Sequence, residues 1–343
     1  MPRRRALCPL VIALLCFGCS SDSTVATPDA DAALGDITAP VCGDRIVNGS
    51  EQCDGAALDG ATCASQGFDG GELSCDGDCR FDTSGCVKHD WITVKAGTFT
   101  MGSPASEPGR GVNETAHQVT LTHDFQIAST EVTQTQYEKV RRYNPAAKRD
   151  APCDGGDCPV ETVSWSEAAA YCNALSEAQK LSPCYRCEAA GKPVRCSVSP
   201  SYLGAAFYDC PGYRLPTDAE WELAYRAGTS TPFYDSLSAD EIGWHNNNSG
   251  GSPHPAAQKK PNNLGLHDMG GNVWEWCNDR FEQDLGSAPV TDPTGSTSSE
   301  YHVTRGGSWR FEPTRLRGAS RLLNLPTKRQ DDTGFRCVRS VVP

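Results

Sequence analysis

Eighteen cysteines in 343 residues constrain this chain more than any other feature. Beyond the leader, only Cys184 and Cys187 have the CxxC spacing that a cytosolic zinc site favours. The count therefore points to structural disulfides and an oxidising compartment. The cysteines also divide the chain. Six (Cys42, Cys53, Cys63, Cys75, Cys79 and Cys86) crowd one short segment, and Cys153 and Cys158 close a local CDGGDC turn. Cys184, Cys187, Cys196 and Cys210 lie together further on, where two local bridges are expected. Cys172, Cys277 and Cys337 stand apart, and spacing alone does not fix any connectivity.

The first residues agree with export. Arg3, Arg4 and Arg5 precede an apolar run from Leu7 to Phe17, which is too short to span a bilayer as a helix and matches a signal sequence. Gly18–Cys19 then forms a lipoprotein-type cleavage junction, although Cys16 stands where leucine is usual. Residues 1–19 read as a lipoprotein signal segment cleaved at the Gly18–Cys19 junction, and the mature protein is expected to begin at a lipidated Cys19. Residues 20–40 are small, polar and acidic and read as a flexible tether. Ser20 and Ser21 favour the outer membrane or cell surface over the inner membrane.

The net charge of −12 is concentrated in the front. From Ser20 to Asp90 there are fourteen acidic residues and three basic ones. No Lys/Arg cluster marks a nucleic-acid footprint. Segment 41–88 is too short to bury a sufficient core, so three disulfides are expected to staple it. It resembles the cysteine-rich repeats of myxobacterial surface proteins. Its Asp54, Asp76 and Asp78 read as solvated Asp-Gly turns in preference to calcium ligands.

From Trp91 onward short strands alternate with loops. WITVKAGTFTMGS and HQVTLTHDFQIA read as strands, and a short helix is predicted at Thr133–Val140. Ser164 with Glu167, and Thr217 with Glu220, have capping-box spacing and open two helices, the second stopped by Gly228. The segment 184–211 reads as an insertion between them. Gly 33 and Pro 23 agree with a loop-rich α+β fold.

An ordered series of motifs then carries a family resemblance. It runs AGTFTMGS (96–103), STEVTQTQY (129–137), PVETVSWSEAAAYCN (159–173), GYRLPTDAEWELAYRAG (212–228), NNLGLHDMGGNVWEWCND (262–279), RGGSW (305–309) and GFRCV (334–338). Residues 90–341 resemble the formylglycine-generating enzyme (sulfatase-modifying factor) family, which implies a loop-rich variant of the C-type lectin fold. The resemblance also implies a disulfide between Cys172 and Cys337. Such a bridge closes a loop of about 165 residues and is worth on the order of 3–5 kcal/mol in the chain-entropy picture. The family's other bridge falls on Tyr225 and Gly318, where both partners are missing. The resemblance further implies a calcium site at Asp268, Glu275 and the backbone carbonyls of Gly271 and Val273, hard oxygen donors on a Gly-containing turn that suit Ca²⁺. A second calcium site is expected to involve the loop 244–249.

The resemblance fails where the chemistry sits. The family's oxidase binds copper(I) through two cysteines after the GGS[YW] motif. Here those positions fall on Phe311 and near Pro313, with no cysteine between Cys277 and Cys337. No catalytic residue is assigned and copper is not expected. Ser308 and Trp274 match groove-lining positions and read as scaffold, and core packing is expected for Trp274 and Trp276. The seven histidines are scattered, and no GxSxG, HExxH or P-loop is present. The leading expectation is a non-catalytic binding protein of the cell envelope that engages a peptide, glycan or protein partner. The alternatives are an enzyme of the family acting on protein cysteine, or a structural envelope protein.

Overall fold

The computed structural model describes residues 41–188 and 194–341; the leader, Cys19 and the tether to residue 40 lie outside the described residues. The chain divides into two compact units, Met1–Val41 and Cys42–Pro343. All that follows concerns the second.

The capping boxes fix the helices. Ser164 and Glu167 open α2 (Trp165–Ala178), and Thr217 and Glu220 open α3 (Asp218–Arg226), each by reciprocal side-chain and backbone bonds. A third box, Thr133 with Gln136, opens α1 (Gln134–Arg141), so Thr133 caps that helix from outside it. Helix α3 ends before Gly228. Ala227 takes the left-handed conformation, φ 47°, and its N–H bonds Leu223 O. An L-residue there costs about 1–2 kcal/mol, which tertiary packing offsets.

Strands are short and distributed over small sheets. One sheet orders Tyr213–Arg214, Val338–Ser340, Phe125–Ala128 and Trp91–Val94, all antiparallel. A second orders Arg321–Asn324, His302–Arg305, Trp274–Arg280 and Thr333–Gly334, with only the last pair parallel. A third joins Gly97–Met101, His117–Leu121 and Val290–Thr291. The core forms around α3, with Trp221 against Val119, Leu121 and Ile127, and around α2, with Trp165, Tyr171 and Phe335.

The cysteine-rich segment is stapled by Cys42–Cys79, Cys53–Cys75 and Cys63–Cys86. Its aspartates serve turns. Asp54 accepts the N–H groups of Gly43 and Arg45, and Asp76 those of Asp78 and Arg80. The segment is not a bead apart. Asp69, from inside it, accepts His89 N–H, Trp91 Nε1–H and Tyr213 O–H, and α2 packs on its Gly70–Gly71 strand. Burial raises the Asp69 carboxyl and its contacts with His89 and Trp91 more than offset that, leaving it below the usual carboxylate range.

Cys153–Cys158 is closed, as are Cys184–Cys210 and Cys187–Cys196. The last pair sits directly across a two-stranded hairpin, Tyr185–Glu188 with Arg195–Val198. Cys172 and Cys337 meet with their sulfurs 3.5 Å apart, as two buried thiols in contact with no bond closed. Cys277 is buried and free.

The positions of the family's other bridge are filled by packing. A Cβ on Gly318 would lie 2.6 Å from the Tyr225 ring, so the ring covers the glycine where a disulfide would cross. The Tyr225 hydroxyl donates to Leu316 O at 2.7 Å and fixes the ring there. We expect Gly318→Ala to lower unfolding stability by about 1–3 kcal/mol through overpacking. Combined with Tyr225→Ala, which vacates the space, it should cost less than the sum of the two single changes in chemical denaturation. Strict additivity would show that the ring does not fill this gap.

Candidate functional site

The GGNVWEW turn organises the region where the family's chemistry would sit. Gly271 has φ 93°, and a Cβ there would lie 2.5 Å from the Trp244 carbonyl, so only glycine fits. Asn272 N–H bonds Trp244 O and Asn272 O takes Trp309 N–H, tying the turn to the 305–309 loop. The strand Trp274–Arg280 leaves this turn with both indoles buried. Trp276 donates to Val163 O, while Trp274 meets Phe311 edge-on at 5.6 Å. Ser308 donates to Asp332 and Pro313 begins a 3₁₀ turn, Pro313–Leu316. The expected catalytic positions are therefore an aromatic contact and a turn proline. The free cysteines among the described residues are all buried. Burial pushes the Cys277 and Cys337 thiols well above their usual range, opposite to what thiolate chemistry needs.

The expected calcium ligands divide. Both oxygens of Glu275 take the Arg336 guanidinium at 2.7 Å, and Oε2 also takes Trp221 Nε1–H at 2.8 Å. Asp268 is fully buried. Its Oδ2 accepts Ala257 N–H at 2.6 Å, and its Oδ1 has no protein partner. Gly271 and Val273 lie on the turn between these two acids. A further carboxylate, Glu131, is fully buried with both oxygens unpartnered. Burial and the neighbouring Asp268 push Glu131 well up, and burial pushes Asp268 to about 6. Three carboxylates thus share one guanidinium. Glu131 escaped the sequence reading, although it stands inside the STEVTQTQY motif and is an acid among residues that pack inward. The loop 244–249 gathers no comparable set. His245 pairs with Asp240, and Trp244 stacks on His254 at 3.7 Å with Lys259 Nζ 4.0 Å from its ring.

A separate cleft of about 440 Å³ lies beside the disulfide-stapled hairpin. Val198, Tyr202 and Phe207 of the inserted segment face Trp165, Arg280 and His302 across it. The His302 ring lies 4.3 Å from Trp165, and its Nδ1–H donates to Asn278 O at 3.0 Å. Burial pulls this imidazole down to about 3, so it is neutral, with Nε2 as an acceptor.

The chain matches the family model of the sulfatase-modifying factor enzyme 1-like domain over residues 82–341. It is 31% identical over 255 residues to the chaperone protein LppX of Paenibacillus barcinonensis, covering 67% of this chain and 82% of that protein. It is 28% identical over 276 residues to the formylglycine-generating enzyme of Streptomyces coelicolor, covering 72% and 88%. Among solved structures it resembles Treponema denticola variable protein 1, with a TM-score of 0.65 and 30% identity over 75% of this chain and 97% of that one.

His302 gives a pH dependence. Its folded pKa lies below the ordinary 6.5, so the unfolded chain binds the proton first as pH falls. This contribution is fully present above about 6.5 and is lost progressively down to about 3. In urea titrations the His302→Gln variant should show a shallower loss of stability across that window than wild type. Parallel curves would exclude His302 as a source of acid sensitivity.

Proposed function

Because the chain belongs to the sulfatase-modifying factor (formylglycine-generating enzyme) family, we propose that it is a non-catalytic member of that family. In this reading it is held at the cell envelope by a lipid on Cys19 and binds a peptide, glycan or protein partner. The observation that carries the reading is the Trp274–Phe311 contact. The position where the family's oxidase would present its first copper-binding thiolate holds a phenyl ring packed on an indole 5.6 Å away. Phenylalanine and proline offer copper(I) no ligand, and the buried free thiols lie elsewhere in the fold. The relative named as a chaperone protein supports a peptide or protein partner. The basic leader, the Gly18–Cys19 junction and the polar tether support the anchor. In the same oxidising compartment, closure of Cys172–Cys337 is expected from their contact.

Calcium belongs to this reading as a structural ion. Asp268 and Glu131 would hold it through their unpartnered carboxylate oxygens, with the carbonyls of Gly271 and Val273 from the turn. Glu275 would then act mainly through Arg336, which it engages with both oxygens. The ion would supply no redox chemistry. It would balance buried negative charge that one guanidinium leaves uncompensated.

Two measurements test the proposal. The first incubates the protein with copper(I), oxygen and a cysteine-containing sulfatase peptide, and no mass change from thiol to aldehyde is expected. Conversion at a rate proportional to protein would overturn the non-catalytic reading. The second is thermal melting with and without a calcium chelator. Wild type should melt lower once chelated, by an amount that follows RT ln(1 + [L]/Kd), about 2.7 kcal/mol at a hundredfold excess over Kd. Glu131→Gln and Asp268→Asn should each shrink that difference, and equal melting of chelated and calcium-loaded wild type would remove calcium from the account.

A further inference from the structure

A second cavity of about 300 Å³ opens between α3 and the segment after Arg280, with Asp279 near the end of the strand that carries Trp274. Its walls are apolar: Met101, Ala219, Leu285, Val290 and Pro293. Its polar lining includes Asp279, Glu282 and His117. Asp279 is 2% exposed, and its Oδ2 has no protein partner. Its other oxygen faces the Asp218 N–H at the first residue of α3.

The neighbouring charges make Asp279 the odd member. Asp218 is paired with Arg305 and Arg321, Glu220 with Arg214, and Glu222 with Arg226 and Arg305. Arg321, which also lines the cavity, bonds Asp218 through Nε and Asn113 O and Glu282 O through Nη1. Asp279 and Glu282 take part in no ion pair among the described residues. Burial and the nearby Asp218 and Glu220 carboxylates push the Asp279 carboxyl well up, against the pull of Arg321. An unpaired carboxylate at the end of an apolar-walled cavity favours a cation on an aliphatic stem. The stem removes apolar wall area from water, and the charged head supplies the missing partner.

A metal ion is a poorer match. Among the described residues the one trio of ligand-type side chains gathered closely enough for a single ion is Glu51, Asp54 and Cys79, in the cysteine-rich segment. Two of those acids already cap turns there, and Cys79 is in a disulfide. His117 is held by its Nδ1–H bond to Thr115 O at 2.9 Å.

We propose that this cavity is a binding pocket for the side chain of a lysine or arginine, with Asp279 as the recognising carboxylate, Glu282 as a second acidic group, and Met101, Leu285 and Val290 as the wall for the aliphatic stem. The pocket is separate from the Trp274–Phe311 contact, so it stands or falls independently of the non-catalytic reading.

The test uses the full chain with its disulfides intact and an NMR titration of three probes. These are Nα-acetyl-lysine N-methylamide, the matching arginine compound, and the norleucine compound, which keeps the stem and lacks the charge. The lysine or arginine probe should bind saturably and the norleucine probe on the order of tenfold more weakly or worse. Stronger binding of the lysine than of the arginine probe, or the reverse, identifies which side chain the pocket takes. Asp279→Asn should weaken the cationic probe by a similar factor while keeping the volume. Val290→Trp, which leaves Asp279 in place and fills the cavity, should do the same, and it decides the matter if Asp279→Asn does not fold. Equal binding of norleucine and the cationic probes, no saturable binding of any probe, or binding unaffected by the folded variants would each overturn the proposal.

Discussion

Buried guanidinium groups hold this fold together. A domain with three sizeable helices and short strands runs much of its backbone through irregular loops, whose carbonyls find few partners in regular ladders. Arginine answers this with five donors in a rigid fork. Arg305 bridges Asp218 and Glu222 on α3 and also reaches the carbonyls of Gly318 and Ser320. Arg226 reaches Gly102 O, Arg317 reaches Gly109 O and Thr314 O, and Arg336 reaches Ala128 O and His267 O, each while paired with a carboxylate. Desolvating such pairs is expensive, so their net stabilisation is small. Removing one partner, however, strands a buried charge at a cost of about 3–5 kcal/mol. The network therefore specifies where the loops go more than it stabilises the domain.

Around that frame, packing fills the positions onto which the family resemblance projects a second disulfide and the catalytic thiols. Tyr225 covers Gly318 where the second disulfide would cross, and Phe311 meets Trp274 where a thiolate would stand. At both positions an aromatic ring packs against an existing surface. New covalent bonds appear at the periphery instead. Three bridges staple the leading segment to itself, and two more stiffen the hairpin that walls the 440 Å³ cleft. Asp69 then binds the leading segment to the domain through His89, Trp91 and Tyr213, so the two share one core boundary.

The acidic interior has a similar logic. Where carboxylates have arginines they are fixed; where they do not, oxygens are left without protein partners, both at Glu131 and one each at Asp268 and Asp279. Buried unpaired carboxylates are costly. These three are therefore the places where an ion or a cationic group from outside has the most to gain.

Much was legible in the sequence because local chemistry dictated it. The capping boxes at Ser164 and Thr217 placed two helices, since a side chain three residues from its partner needs no tertiary help. Gly271 announced a turn that no other residue makes, and the cysteine groups announced separate staples. Motif order identified the family. What the sequence left open depends on charges and sulfurs that meet only after folding. Connectivity within Cys184–Cys210 followed from the hairpin register, which sets Cys187 opposite Cys196. That Arg336, 61 residues from Glu275, engages both of its oxygens is likewise visible only in the fold. Glu131 and Asp279 look like any acids in the sequence. They become distinctive only because the fold buries them and assigns every nearby guanidinium to another carboxylate, a matter of long-range pairing that no local pattern encodes.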